Sequence, residues 1–222
     1  MKASQISESV PLGILLAVAG GLMDAYSYVC RGKVFANAQT GNILLLGVRL
    51  SEGEWAAAGR YLCPILAFIL GLAAADFVRS RMGQGSLLHW RQAALLAECA
   101  ILCAVAFLPL EANLLANSLT SLACGIQVES FRKIGGNTAA TTMCIGNLRS
   151  ATQAVCEYSR TRDREALRRG VLYFCLIAFF VAGAILGNFA VKLWSTRAIL
   201  WSAVFLFSAF SVLFLERREP AE

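Results

Sequence analysis

Six long apolar blocks, separated by short arginine-bearing connections, constrain this chain more than any other feature of its sequence. They cover residues 11–30, 61–78, 92–110, 112–131, 170–191 and 199–215. Each approaches the roughly 20 residues that a helix needs to cross a hydrocarbon core. Their internal charges are Asp24, Asp76, Glu98 and Glu129. Backbone groups in lipid are satisfied only within helices or a closed barrel, and these runs lack the period-2 alternation of barrel strands. The expected fold is therefore an all-α polytopic membrane protein.

Composition agrees: 58% of the 222 residues are hydrophobic and only 15% charged, whereas a soluble domain carries about 25% charged residues. The net charge of +6 is read as membrane topology, with no nucleic-acid partner, because the basic residues cluster in loops. The eight cysteines sit mostly in or beside apolar runs without CxxC or Cys/His spacing, so they read as small packing residues. The first ten residues hold one Lys and one Glu and precede no clear cleavage site. The first apolar run is thus expected to stay as a membrane helix.

Two polar segments interrupt the hydrophobic pattern: 34–42, VFANAQTGN, and 135–147, GGNTAATTMCIGN. A shift of about 105 positions pairs Gly20 with Gly125, Asp24 with Glu129, Tyr26 with Phe131, Gly41 with Gly146 and Asn42 with Asn147. This spacing predicts a duplication within a single membrane domain covering 1–222, with repeat one at about 11–110 and repeat two at about 112–216. If both polar segments dip in and return on the same side, the chain has six transmembrane helices plus two short broken or re-entrant helices. Fourteen of the twenty Lys and Arg residues then lie inside, with both termini. The halves, of three crossings each, become an inverted repeat. If both segments cross, there are eight helices in a 4+4 parallel repeat, and only eleven of the twenty lie inside. The positive-inside bias favours six.

Residues 20–50, GGLMDAYSYVCRGKVFANAQTGNILLLGVRL, resemble the YoaK-like family of bacterial integral membrane proteins of unknown function. The resemblance implies a plasma-membrane protein of about six helices. It brings no substrate, cofactor or catalytic residue.

The residues themselves point to a solute site. Asp24 lies inside an apolar run, where an unpaired carboxylate costs about 2.5–3.5 kcal/mol. Either it is a proton or cation site, or it is hydrogen-bonded to Tyr26, Tyr28 or the exposed amides of the re-entrant segment. Glu129 shares its register but has Arg132 and Lys133 at ion-pair spacing. Asn37, Gln39, Thr40, Gly41 and Asn42 form one polar cluster; Asn137, Thr138, Thr141, Thr142, Gly146 and Asn147 form the other. Amide and hydroxyl groups can replace part of a solute's hydration shell, although interhelical packing uses the same residues. Together they define the expected substrate- or ion-binding set.

The function expected is a small secondary transporter or facilitator of a small polar or ionic solute, with Asp24 and Glu129 as the candidate proton-linked sites. A channel and a membrane scaffold or regulator are the alternatives. An enzyme is not expected, since HExxH and GxSxG are absent and His89 is the one histidine; neither metal nor cofactor is called for. The GxxxG run Gly183–Gly187 offers a homodimer contact.

Overall fold

A computed structural model describes residues 9–81 and 90–216, with side chains to residue 213. His89, Lys2, Arg217 and Arg218 lie outside the described residues. The described residues are mostly helical: α1 (Val10–Cys30), α2 (Gln39–Ser51), α3 (Trp55–Arg81), α4 (Trp90–Ala106), α5 (Asn113–Ser130), α6 (Cys144–Thr161), α7 (Arg164–Trp194) and α8 (Leu200–Glu216). Each of the six apolar blocks forms a helix within a few residues of its expected bounds. Alpha-helical geometry gives α1, with 21 residues, a length of about 30 Å, enough to cross a bilayer. Among the described residues α1, α3 and the α7–α8 region are apolar enough to do so by composition.

The outer surface is apolar where the helices are long. Ile69, Leu70, Phe77, Val181, Ile185, Phe189, Val204 and Phe207 are all exposed, and a continuous apolar exterior of this kind has no place in water. The interior is built on α1, which is buried along most of its length. It packs chiefly on α7 and α8, while α3 packs on α5, α2 on α3, and α6 on α7.

Contacts at the helix ends fix the directions. The bundle has a base, where α1 begins, and a crown, where it ends. At the crown, the Arg31 guanidinium donates to Val105 O (3.2 Å), Leu108 O (2.8 Å) and Pro109 O (2.8 Å), so α1 ends where α4 ends and α5 begins. At the base, Arg79 pairs with Glu129, which brings the ends of α3 and α5 together. Arg91 Nε donates to Ser130 O at 3.0 Å, placing the start of α4 there too. Gly183 meets Val18 and Gly187 meets Leu22, so α7 rises beside α1 in the same direction. The GxxxG face is therefore occupied by α1, and a second copy of the chain would have to dock elsewhere.

Small residues set the closest helix approaches. A side chain at Gly71 would strike Leu122 O on α5, and one at Gly125 would strike Phe68 O on α3. The crossing of α1 and α7 has the same form: Gly21 lies on Phe180 O, and Gly183 on Val18 O. Without Cβ atoms at these points the backbones approach closely, which dispersion rewards in lipid as in water.

Neither polar segment forms a helix throughout. Residues 31–38 form an irregular loop before α2. In residues 131–143 a small hairpin pairs Lys133 with Thr138 and Ile134 with Asn137, turning at Gly135 and Gly136. Both glycines have positive φ (58° and 76°), as a two-residue hairpin loop requires.

Candidate functional site

The two loops enter from opposite ends and meet at one level of α1. From the crown, residues 31–38 descend until Asn37 Nδ2 donates to Gly20 O at 3.1 Å. From the base, residues 131–143 climb, with Ile134 packed on Gly13 and Thr142 on Gly20. Gly20 is the central residue of the span Val10–Cys30, and only a residue without a side chain leaves room for the Thr142 methyl group.

Around that level lies a buried polar centre drawn from four segments. Asp24 Oδ1 accepts a hydrogen bond from Asn37 N at 2.7 Å, and the amides of Ala36 and Ala38 also face the carboxylate. These amides belong to the last loop residues before α2, whose own cap residue, Ala38, offers no side-chain acceptor. Asp24 thus holds the entry to α2 from a different helix, and its charge lies near the positive helix end. Opposite it, Gln127 Nε2 donates to Leu16 O and to Thr141 Oγ1, both at 3.1 Å. Cys124, one turn earlier on α5, touches Met23 through sulfur at 3.8 Å and lies beside Asn37.

Three oxygens in this centre are buried without a hydrogen-bond partner: Asn37 Oδ1, Gln127 Oε1 and Thr142 Oγ1. Both amides are pinned by their nitrogens to α1 carbonyls, so their orientation is fixed and the oxygens are what remains. Buried polar atoms are nearly always paired, which makes three orphans beside the Leu16–Gly20 turn of α1 informative.

The expected site residues divide into groups. Asp24, Asn37, Thr141 and Thr142 are brought together. Asn42 and Asn147 are buried braces. Asn42 Nδ2 donates to Phe35 O (2.7 Å) and Gln39 Oε1 (2.9 Å), and its Oδ1 accepts from Phe35 N (3.0 Å). Asn147 Nδ2 donates to Ala140 O at 2.6 Å. Gln39 also reaches back to Ala36 O. Thr40 and Gly146 are exposed, Gly41 lies against the Phe35 ring, and Asn137 bonds within the hairpin to Gly135 O. Tyr26 belongs to the crown, where its hydroxyl accepts from Arg31 Nε at 2.7 Å. Glu129 turns to Arg79 (3.3 Å) and Arg132 (3.7 Å).

Several buried polar residues were not in the expected set. Asn117, Thr120, Ser121, Cys124 and Gln127 are buried on α5 at helical spacing, so a search for a polar stripe of period 3.6 would have found them. Arg31, read from sequence as a loop charge, is fully buried. Glu98 is fully buried on α4, with no partner for either oxygen.

A lipid-compatible exterior around a buried polar centre defines a helical integral membrane protein. The chain belongs to the family described as protein of unknown function (DUF1275), whose model matches residues 12–212. It is similar to the UPF0700 transmembrane protein YoaK of Bacillus subtilis (strain 168), with 27% identity over 184 residues, 78% of this chain and 79% of that protein. No solved structure matches the chain.

Proposed function

We propose that this protein is a small secondary transporter or facilitator that carries a small polar or ionic solute across a bacterial inner membrane. The observation that carries the reading is the meeting of two polar loops, one from each end of the bundle, beside Gly20 at the midpoint of α1. Non-helical backbone at such depth is tolerated where protein or a water-filled path lines it, and transporters place their sites there.

The helix directions support six crossings, by α1, α3, α4, α5, α7 and α8, with α2 and α6 as re-entrant helices. Helix α2 starts near mid-depth and returns to the crown, where α3 begins; α6 likewise returns to the base. The matching glycine crossings of α1 on α7 and α5 on α3 favour an inverted repeat. Its register in the first helix of each half pairs Gly21 with Gly125, one position away from the offset of 105, so Asp24 has Val128 as its counterpart. The base carries eleven described Lys and Arg residues, whereas the crown has five besides the buried Arg31. The base is accordingly the cytoplasmic side.

Proton linkage attaches to Asp24 and to Glu98, the acids buried within the bundle. Asp24→Asn keeps the acceptor for Asn37 N while removing the charge. In proteoliposomes it should abolish uptake driven by a pH gradient; uptake that keeps its full gradient dependence would remove the proton role.

A further inference from the structure

Resting on the transport reading above, we infer that the polar centre beside Gly20 binds a small monovalent cation, either a metal ion or a primary ammonium. The orphan oxygens of Asn37, Gln127 and Thr142 would coordinate it, with the Asp24 carboxylate supplying the charge.

The inventory of donors and acceptors carries this assignment. The amide nitrogens of Asn37 and Gln127 are committed to Gly20 O and Leu16 O, so each residue presents only its oxygen. Among the described residues, the hydrogen bonds that build the centre involve no Lys or Arg. Arg31, the buried guanidinium, is fully engaged at the crown with Tyr26, Asn113 and three carbonyls. Asp24 faces the start of α2, but a helix end is equivalent to only about half a positive charge. The centre therefore keeps a negative balance, and a bound anion would face both that charge and two amide oxygens, with the Thr142 hydroxyl the one neutral side-chain donor among the three.

Oxygens of this kind replace the hydration shell of a hard cation or accept the N–H groups of an ammonium. A divalent ion is the poorer fit, because such sites usually gather several carboxylates, whereas the described residues hold no group of three His, Cys, Asp or Glu placed to bind a metal. The start of α2, where a helix end would otherwise favour an anion, already has the Asp24 carboxylate on the loop amides that precede it.

The test uses the purified full chain in detergent micelles, in choline chloride. Sodium, potassium and methylammonium chlorides are titrated separately, with choline formate as the anion arm, and the thermal midpoint is read. At least one cation should raise the midpoint saturably. Thr142→Val, isosteric and removing a hydroxyl with no protein partner, should raise the half-saturating concentration about tenfold, the loss of one good hydrogen bond. Asp24→Asn should abolish the effect, while Glu129→Gln leaves it unchanged. Stabilisation by formate in place of the cations, no saturable stabilisation by any of them, or a cation effect unmoved in both Thr142→Val and Asp24→Asn would each overturn the assignment. Flux into proteoliposomes separates the two ideas. Cation binding without flux removes transport and keeps the site; uptake of a neutral solute without cation binding does the reverse.

Discussion

Residues 31–38 and 131–143 both reach the centre of α1 and then start a helix, and each is braced by an asparagine one turn into that helix. What anchors them differs. The first loop is held by charge: Arg31 ties its beginning to the α4–α5 turn, and Asp24 takes the amides at its tip. The second is held by neutral groups: a two-stranded hairpin, the Gln127 amide on Thr141, and the Tyr173 hydroxyl on Thr138 O at 3.0 Å. The difference teaches that the first loop is held largely by charge and the second by neutral hydrogen bonds, so the two are not interchangeable even where their folding agrees.

That contrast can be broken most severely at Arg31. Its replacement by Met leaves three carbonyls, Asn113 and the Tyr26 hydroxyl without their donor inside the crown. A loss of about 3–5 kcal/mol, measured by reversible unfolding in mixed micelles, is expected, because each buried acceptor left unpaired costs about 1–3 kcal/mol. Asp24→Ala comes next, at about 2–3 kcal/mol for amides left unpaired in the interior. Asp24→Asn should recover most of that stability without recovering gradient-driven uptake. Equal stability of the Ala and Asn variants would mean that Asp24 does not hold the loop before α2.

The asparagine braces sharpen the comparison. Asn42 makes three hydrogen bonds and Asn147 one, so Asn42→Ala should cost about 2 kcal/mol and Asn147→Ala about 1 kcal/mol. Equal costs would show that the second loop depends on its brace as much as the first. The smallest effect belongs to Glu129→Gln. Its partners Arg79 and Arg132 are partly exposed, and pairs of this kind contribute up to about 1 kcal/mol; uptake should be unaffected. A large transport defect there would restore Glu129 to the site.

The sequence made the long helices legible because lipid imposes a length and an apolar composition that no other environment demands of a chain. It also exposed the two polar interruptions and the intramembrane acid, since such groups are costly enough to stand out. The centre was harder to read. Gln127, Ser121 and Asn117 are neutral and lie scattered among apolar residues, visible only at helical spacing. Arg31 looks like any loop arginine until the α4–α5 turn is seen to supply its acceptors. Asn42 and Asn147 match in register, but their inward bonds to Phe35 and Ala140 depend on how each loop folds back. In the register proposed above, Asp24 and Glu129 stand one position out of step, which on a helix turns a side chain through about 100° and so from the centre to an ion pair.

The central claim is that the two loops enter from opposite sides. Single cysteines at Gly53, between α2 and α3, and at Thr161, before α7, in a cysteine-free background test it most directly with a membrane-impermeant maleimide on intact cells. Labelling of the Gly53 position from outside, with Thr161 reached only after permeabilisation, is the result expected. Labelling of both from the same side would mean that α2 and α6 cross the membrane, and would contradict the account.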